Sequence, residues 1–254
     1  MRRLPSEPEL WLVDLTTCED ALEAAEANAR RLSGEDLERI AGFAGADQRR
    51  NRRLSYIALR LLIERGFGPR WRAVPFLRGR NGKPGFEDIK GDFSLAHTGG
   101  FALIGLSSGG AIGVDLEALR DPSLPAERRV RMERAAAMLA PRSPLPADQP
   151  ARFLTAWARL EALGKADGRG VGFVLGALGA WGQKAETGPP AGSGTGTAVA
   201  ADSALLASAF RVADVAARPG LFAAVAVSAG EEPPQSVHTL PADPALLERL
   251  LLPQ

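Results

Sequence analysis

Two carboxylates stand two residues apart in an apolar stretch near the middle of the chain. The segment IGVDLE, residues 112–117, places Asp115 and Glu117 among Ile, Val and Leu. Side chains at positions i and i+2 of a strand share a face, so the acids are expected roughly 6–7 Å apart, with a repulsion of about 2–3 kcal/mol at an effective dielectric constant of ~20. That face needs solvent or a cation. Taken alone, the pair is more simply explained by a half-exposed edge strand.

A later segment offers a third carboxylate and an ammonium group. In ARFLTAWARLEALGKADG, residues 151–168, Trp157, Glu161 and Lys165 follow one another at intervals of four and share one stripe of a predicted helix. By itself this is an ordinary exposed Glu–Lys pair, worth about 0.2–0.5 kcal/mol. Together with the two acids of the strand it suits Mg²⁺, which proteins usually bind with one or two carboxylates, water and substrate phosphates. The predicted chemistry is therefore a magnesium-dependent reaction of a phosphate-containing substrate.

A histidine is also placed where it could act. His97 lies in AHTGG, which we predict to be an exposed turn between two strands, although a lone turn histidine more often has no function. Cys18, His97 and His238 do not have the spacing of zinc ligands. No Walker lysine loop or G-x-G-x-x-G follows a predicted strand, so P-loop chemistry and Rossmann binding lack support.

The composition sets limits on the class of protein. The chain has 254 residues, 45% hydrophobic and 24% charged, enough to bury a sizeable core in one large or two small domains. Its net charge of +1 gives no overall attraction to nucleic acid or to an anionic membrane. The single cysteine fits a reducing compartment and no stretch resembles a membrane span, so we expect a cytoplasmic protein. Between residues 48 and 83, however, basic residues strongly outnumber acids.

The elements that must position these groups follow the same order twice. In the first half we predict a strand at 9–15, a helix around 19–32, a second helix that begins after Ser33, a basic amphipathic helix at 52–68 and a strand–turn–strand unit at 93–108.

The second half repeats this order without sequence identity to the first. The helix 151–168 is followed by a strand–turn–strand unit at 208–229. The sequence therefore predicts two α+β halves, residues 1–111 with the basic helix and His97, and residues 112–254 with the acidic strand and its helix. Between these elements, residues 185–203 are rich in Gly, Pro, Ser and Thr, and we predict a mobile loop there; the tail after Glu231 is predicted to be irregular.

Three segments taken together resemble a known family. FSLAHTGG, IGVDLE and FLTAWARLEALGKADGRGVG, preceded by a GKP turn, resemble the motifs of the 4′-phosphopantetheinyl transferases, in their longer single-chain type. The family patterns are F-[NS]-[IL]-S-H-[ST], [IV]-G-[IV]-D-[IL]-E and W-x-x-K-E-A-x-x-K-x-x-G-x-G. Order and spacing agree over roughly residues 48–172, about half of the chain. The resemblance implies two α+β halves packed as an intramolecular pseudo-dimer, with the active site in the cleft between them, in a monomer.

By position, the resemblance also implies roles for individual residues. The metal ligands for Mg²⁺ would be Asp115, Glu117 and Glu161, with Glu161 also the general base. The phosphates of coenzyme A would be contacted by His97, Lys83 and Lys165.

Three positions depart from the family pattern. Leu160 stands where lysine is frequent, Ala96 where serine often precedes the histidine, and Tyr56 where the basic helix of the family has an arginine. None of these changes removes an expected metal ligand, but they weaken the expected binding of the diphosphate. We predict that Arg53 or Arg60 of the basic helix compensates.

The activity implied by the resemblance is transfer of the 4′-phosphopantetheine arm of coenzyme A to a serine hydroxyl of an apo acyl or peptidyl carrier protein, with release of 3′,5′-ADP. Carrier proteins are acidic around that serine, so a basic and partly apolar docking surface is expected. The segment ERRVRMERAAAML, residues 127–139, fits this role, and an ordinary solvated helix face explains it equally well.

Two other functions are compatible with parts of the sequence. A nucleic-acid-binding module would use the Arg-rich segment 49–80, but it would leave the three acids without a purpose. A magnesium-dependent phosphohydrolase would use the acids and would need no protein acceptor.

Overall fold

The structure is a computed structural model that describes residues 7–181 and 195–251, without the side chains of 195–201. The fold is mixed α+β, as predicted. In chain order the elements are β1 (Glu9–Asp14), α1 (Glu19–Asn28), α2 (Gly34–Ala41), α3 (Ala46–Phe67), a 3₁₀ turn (Pro69–Trp71), β2 (Leu77–Arg78), β3 (Pro84–Gly85), β4 (Asp92–Thr98), β5 (Phe101–Ser107), β6 (Ile112–Ala118), α4 (Ala126–Leu139), α5 (Ala151–Asp167), α6 (Gly170–Ala177), α7 (Thr195–Ala209), β7 (Phe210–Val215), β8 (Leu221–Ser228), β9 (His238–Thr239) and α8 (Pro244–Leu250).

The chain divides into two compact units. Unit 1 comprises Met1–Gly110 and Pro234–Gln254, and unit 2 comprises Ala111–Pro233. This differs from the predicted halves, because the C-terminal segment returns to unit 1. There β9 pairs in parallel with β1, and the ring of His238 stacks on that of Trp11 with 4.7 Å between centroids. The tail after Glu231, predicted to be irregular, thus contains a short strand and the helix α8.

Unit 1 is built on a sheet with the strand order β4-β5-β1-β9. The long helix α3 supplies much of its core, because Leu54, Ile57 and Leu61 recur at helical spacing and are buried. Helix α2 begins as predicted after Ser33. The Ser33 hydroxyl accepts a hydrogen bond from the backbone N–H of Asp36, and the Asp36 carboxylate accepts one from that of Ser33.

The hairpin β4–β5 corrects the predicted position of His97. The turn consists of Gly99 and Gly100 alone, with φ angles of 52° and 85°, the left-handed values that a two-residue hairpin turn requires. His97 lies before the turn, inside β4, and pairs with Ala102 of β5. It is half-buried on a strand and is not part of an exposed turn.

Unit 2 contains an antiparallel sheet with the order β6-β8-β7, and the predicted strand–turn–strand unit is confirmed. Helix α5 packs on one face of this sheet and forms the core of the unit with α4 and α6. The predicted loop 185–203 is partly helical, since α7 begins at Thr195; residues 185–194 lie outside the described residues. Alanine, the strongest helix former, is frequent from residue 198 onward, which explains the helix. Within the part of the chain that the structure describes, no helix is long and apolar enough to cross a membrane.

Candidate active site

The glycine of IGVDLE brings helix and strand into direct contact. A Cβ atom at Gly113 would lie 2.0 Å from the carbonyl oxygen of Ala162 and 2.4 Å from the backbone nitrogen of Ala166. Only glycine allows the backbone of α5 to approach β6 this closely. The contact fixes the middle of α5, and thereby the side chains on either side of it, against the strand.

The alternation of β6 decides which side chains meet α5. Gly113, Asp115 and Glu117 share the face that the helix covers, as expected from the period of two. Their partners on β8 include the small residues Ala224 and Ala226, which leave room for the helix. The predicted pair of acids therefore faces α5.

A lysine of α5 neutralises the first of these acids. The Lys165 ammonium donates to Asp115 Oδ1 at 2.7 Å and to the carbonyl oxygen of Val114 at 3.0 Å. Asp115 is only 7% exposed, and its second oxygen, Oδ2, is buried without a hydrogen-bond partner among the described residues. A buried carboxylate with one unsatisfied oxygen is costly. This oxygen is a candidate ligand for a cation.

Burial and neighbouring charges also shift the pKa values of the other two acids, Glu161 and Glu117. Burial raises the pKa of Glu161 above its usual value; the charge of Lys165 opposes this, and the charges of Asp115 and Glu117 add to it. Burial also raises the pKa of Glu117, as does the charge of Asp115, although Arg120 lies 3.0 Å away and lowers it. The structure thus brings together the three carboxylates and the lysine that the sequence singled out, all within unit 2.

The carboxylate oxygens of this set are donors of the kind that Mg²⁺ prefers, and Oδ2 of Asp115 has no hydrogen-bond partner among the described residues. As the side chains lie, however, no three His, Cys, Asp or Glu residues of the described part of the chain are grouped so as to hold a metal ion. The Lys165 ammonium stands beside Asp115 and supplies the positive charge. The residue types suit a divalent cation, but with Lys165 in this contact the described side chains do not form a metal site.

The predicted phosphate contacts of unit 1 lie apart. The ammonium of Lys83 pairs with the carboxylate of Asp92 at the first residue of β4. His97 is five residues further along this strand, which places its Cα about 16 Å from that of Asp92. Lys83 and His97 are therefore positioned at opposite ends of one strand.

The two arginines predicted to compensate are occupied within unit 1. Arg53 donates from Nε and Nη2 to Glu23 of α1 at 2.7 and 2.8 Å. Arg60 is 2% exposed, donates to Asp36 at 2.6 Å and lies 3.6 Å from the ring centroid of Phe76. Both guanidinium groups hold elements of the unit together. These ion pairs give no support to the prediction that Arg53 or Arg60 binds a phosphate.

A neighbouring arginine, which the sequence did not distinguish, has no such partner. Arg52 makes no ion pair among the described residues, and its Nε is buried without a hydrogen bond. Its guanidinium lies 5.0 Å from the ring centroid of Phe43 and 5.6 Å from that of Tyr56. Burial lowers the pKa of Arg52 most, Tyr56 partly offsets this, and the charges of Arg39 and Arg78 lower it further.

Arg39, Arg52 and Arg78 form what we call the three-arginine cluster. None of the three makes an ion pair with an acid in residues 7–181 or 195–251. By contrast, four other arginines of the same helix α3 each pair with an acid: Arg50 with Glu19, Arg53 with Glu23, Arg60 with Asp36 and Arg65 with Glu9. Arginines that repel one another and lack acids are typical of an anion-binding site.

Comparison with known proteins bears on the function of these groups. No family model matches the chain. A protein of Synechocystis sp. (strain ATCC 27184 / PCC 6803 / Kazusa), named "Putative 4'-phosphopantetheinyl transferase slr0495", is 30% identical over 114 residues. The match covers 44% of this chain and 44% of that protein, so the chain spans less than half the length of this relative. The similarity supports the phosphopantetheinyl transferase superfamily.

The surface predicted to dock a phosphopantetheinyl transferase's carrier protein is helical, as expected. On α4, Val130 and Met138 are exposed, and Nε of Arg128 has no hydrogen bond among the described residues. The guanidinium of Arg128 lies 4.7 Å from the ring centroid of Trp181, which is 48% exposed and donates from Nε1 to the carbonyl oxygen of Gly172 at 2.8 Å. No local pattern in the sequence connects Trp181 with Arg128, because the two residues are 53 positions apart.

Proposed function

We propose that the chain transfers the 4′-phosphopantetheine arm of coenzyme A to a serine of an apo acyl or peptidyl carrier protein, releasing 3′,5′-ADP. The observation that carries this proposal is the grouping of Asp115, Glu117, Glu161 and Lys165 where α5 meets β6. The longer single-chain type, a monomeric state and a cytoplasmic location are parts of the same proposal.

The acids have distinct tasks in this proposal. Asp115, Glu117 and Glu161 would hold Mg²⁺, which when bound neutralises negative charge on the diphosphate. Glu161 accepts the proton of the carrier serine. A carboxylate whose pKa is raised by burial is a stronger base than an exposed one, which suits it to this step.

Lys165 changes partner during the reaction. In the structure it pairs with Asp115. With Mg²⁺ held by the three acids, the Lys165 ammonium would be free to donate to a phosphate oxygen and to stabilise the leaving group. Leu160, at the position where the family often has a second lysine, is fully buried in the core of unit 2, so no ammonium is available from that position.

The three-arginine cluster supplies the positive charge in unit 1. Two or more guanidinium groups without acids are suited to a phosphate monoester, and coenzyme A carries one on its ribose. We propose that Arg52, with Arg39 and Arg78, takes the place that the sequence assigned to Arg53 and Arg60. Lys83 and His97 remain proposed contacts of coenzyme A.

The acceptor is proposed to bind α4. Arg128 and Arg131 match the acidic surface of a carrier protein, and the half-exposed Trp181 adds a large apolar contact of the kind that dominates binding energy at interfaces. Reversing the charge of Arg128 and Arg131 to Glu should raise the KM for the carrier and leave that for coenzyme A unchanged. The opposite pattern would rule out docking on this helix.

The direct test is modification of a carrier protein. The purified chain, coenzyme A and Mg²⁺ are incubated with a panel of apo acyl and peptidyl carrier proteins, and each carrier is weighed by intact mass spectrometry. We expect at least one carrier to gain a single phosphopantetheine group, and the gain to vanish in the Asp115→Ala variant. No gain across the panel would overturn the proposal.

The same experiment separates the alternatives. Release of 3′,5′-ADP from coenzyme A without any acceptor would indicate a phosphohydrolase. Nucleic-acid binding is disfavoured by the arginines themselves, since five of those in segment 49–80 already pair with acids: Arg50, Arg53, Arg60, Arg65 and Arg72.

A further inference from the structure

A buried guanidinium close to the site has no role in the proposed chemistry. Arg159 of α5 is 0% exposed, and its Nε and Nη2 donate to the two carboxylate oxygens of Asp214 at 2.7 and 2.6 Å. Nη2 also donates to the carbonyl oxygen of Ser143 at 2.7 Å, and the Ser143 hydroxyl donates to Asp214 at 2.6 Å. Only the arginine is buried, since the side chain of Asp214 is 31% exposed, and a buried guanidinium is tolerated when its hydrogen bonds are satisfied in this way.

This pair lies in register with the acids of the site. Asp214 on β7 pairs with Ala224 of β8, and Ala224 pairs with Asp115 of β6. The two aspartates therefore occupy one row on the face that α5 covers, two strand spacings or about 10 Å apart. On α5, Arg159 and Lys165 are six residues apart, which is about 9 Å along the helix axis.

Two ion pairs thus join helix α5 to the row of Asp214 and Asp115: Arg159 pairs with Asp214, and Lys165 pairs with Asp115. Glu161 lies between the two cations in the sequence. The rotation of α5 about its axis decides whether Glu161 faces the acids of β6. Both ion pairs, together with the contact at Gly113, oppose such a rotation.

We propose that Arg159 is a positioning residue, which together with Asp214 keeps Glu161 beside Asp115 when Lys165 leaves Asp115. The inference rests on the proposed function, in which Lys165 exchanges Asp115 for a phosphate. During that exchange Arg159–Asp214 is the ion pair that still joins α5 to this row. The planar fork of an arginine with two parallel hydrogen bonds resists rotation, whereas a single ammonium contact does not.

The test measures metal binding, with Mn²⁺ as the probe and electron paramagnetic resonance to count free Mn²⁺. In the full-length Asp214→Asn variant we expect the Kd for Mn²⁺ to rise about tenfold, the size of effect seen when groups that orient metal ligands are removed. Arg159→Lys should shift the Kd in the same direction. In the transfer assay kcat should fall while the KM for coenzyme A is unchanged.

A control is available in another contact with the same helix. Glu133 of α4 is buried and pairs with Arg152 in the first turn of α5 at 2.9 Å, so Glu133→Gln also removes one carboxylate charge from a contact with α5. It lies outside the row of Asp214 and Asp115, and we expect its Kd for Mn²⁺ to stay within about twofold of the wild type.

The outcomes separate this inference from the proposed function. Equal Kd values for Asp214→Asn and Glu133→Gln would show that Arg159 only stabilises the fold and would overturn the inference. If Asp214→Asn does not fold by circular dichroism, Ser143→Ala removes a single hydrogen bond from Asp214; a Kd unchanged from the wild type would then overturn it. A wild-type chain that binds no Mn²⁺, or binds it equally well as Asp115→Ala, would instead overturn the proposed metal site, and this inference with it.

Discussion

Asp36 of unit 1 and Asp115 of unit 2 are both buried aspartates that pair with a cation, but they differ in the hydrogen bonds that they accept. Asp36 accepts three hydrogen bonds through Oδ2, from the backbone of Ser33 and from Nε and Nη2 of Arg60, at 2.6–3.0 Å. Asp115 has one oxygen bound by Lys165 and another that has no partner among the described residues. A carboxylate held by several hydrogen bonds from one neighbouring element is typical of structure, whereas a buried oxygen without a partner among the described residues calls for an explanation.

Two arginines of α3, Arg60 and Arg52, also differ in their neighbours. Arg60 is enclosed by acceptors and an aromatic ring, while Arg52 is half-buried beside other arginines. Both have a pKa lowered chiefly by burial, and the charge of Arg78 lowers both further. For Arg60 the charge of Asp36 opposes the shift, whereas Arg52 pairs with no acid among the described residues. The two arginines therefore differ in their acidic partner rather than in burial alone.

Replacing the two aspartates should have opposite consequences, and this is the largest effect we expect. Asp115→Asn should reduce the transfer rate by about 10²–10³-fold, because a charged ligand is lost, with little change in the thermal unfolding midpoint. Asp36→Asn should leave Arg60 buried without its counter-charge and cost about 3–5 kcal/mol of stability. Transfer assays and thermal unfolding of both variants measure this. Loss of stability in Asp115→Asn with transfer retained would contradict the comparison.

The arginine pair allows a second test on one helix. Arg60→Met should lower the free energy of unfolding by about 3–5 kcal/mol, since it leaves Asp36 buried and unpaired. Arg53→Met is the control: its ion pair with Glu23 is about one-third exposed, and we expect a cost below about 1 kcal/mol. Denaturant unfolding of the three proteins gives these values. Similar losses for both variants would show that burial of the pair is not decisive.

Arg52 should behave in the opposite way to Arg60. Arg52→Met removes a charge with no acidic partner, so the free energy of unfolding should stay the same or increase. The KM for coenzyme A should rise about tenfold or more, since hydrogen bonds to charged groups contribute about 1.5–3 kcal/mol. Dephospho-coenzyme A, which lacks the phosphate monoester, should show no such difference between variant and wild type. A difference of equal size with both substrates would place the cluster elsewhere on the cofactor.

The sequence was sufficient to predict which side chains share a face in unit 2, because two local rules operate there; their function stays a prediction. The period of two places Asp115 and Glu117 on one face of β6, and the spacing of four places Glu161 and Lys165 on one stripe of α5. Gly113 then brings these elements into contact.

The arginine partners in unit 1 could not be predicted in this way. The acid that neutralises each arginine comes from another helix, as Glu23 of α1 does for Arg53, and local spacing carries no information about such pairs. The same limit applies to the C-terminal segment, since the two-residue strand β9 exists only through its pairing with β1. The helix at 195–203 was not predicted, because the preceding residues are rich in Gly and Pro and the whole segment was interpreted as a loop despite its alanines.

The smallest effect concerns two buried glutamates whose pKa values shift in opposite directions. Burial alone would raise the pKa of Glu64, but the hydrogen bonds and charges of Arg72 and Arg31 outweigh burial and lower this pKa below 4.5. Ionised Glu64 therefore stabilises unit 1 above pH 4.5, and this contribution is lost as the pH falls through the lowered pKa. The pKa of Glu161 is raised, mainly by burial. Folding therefore favours the protonated form of Glu161. The contribution of this carboxyl group to stability is complete below about pH 4.5 and is lost as the pH rises through the raised pKa.

Above the raised pKa, without metal, the charged form of Glu161 therefore opposes folding. We expect Glu161→Gln to raise the thermal unfolding midpoint slightly at pH 7, by less than the changes above, and to abolish transfer. The gain should vanish at pH 4, where the wild-type carboxyl is also neutral, and it should shrink when Mg²⁺ is added to the wild type. Glu64→Gln, the matched change in unit 1, should lower the midpoint at pH 7. A lower midpoint for Glu161→Gln at pH 7 would mean that this carboxylate is satisfied like Glu64, and that the acids of unit 2 serve the fold.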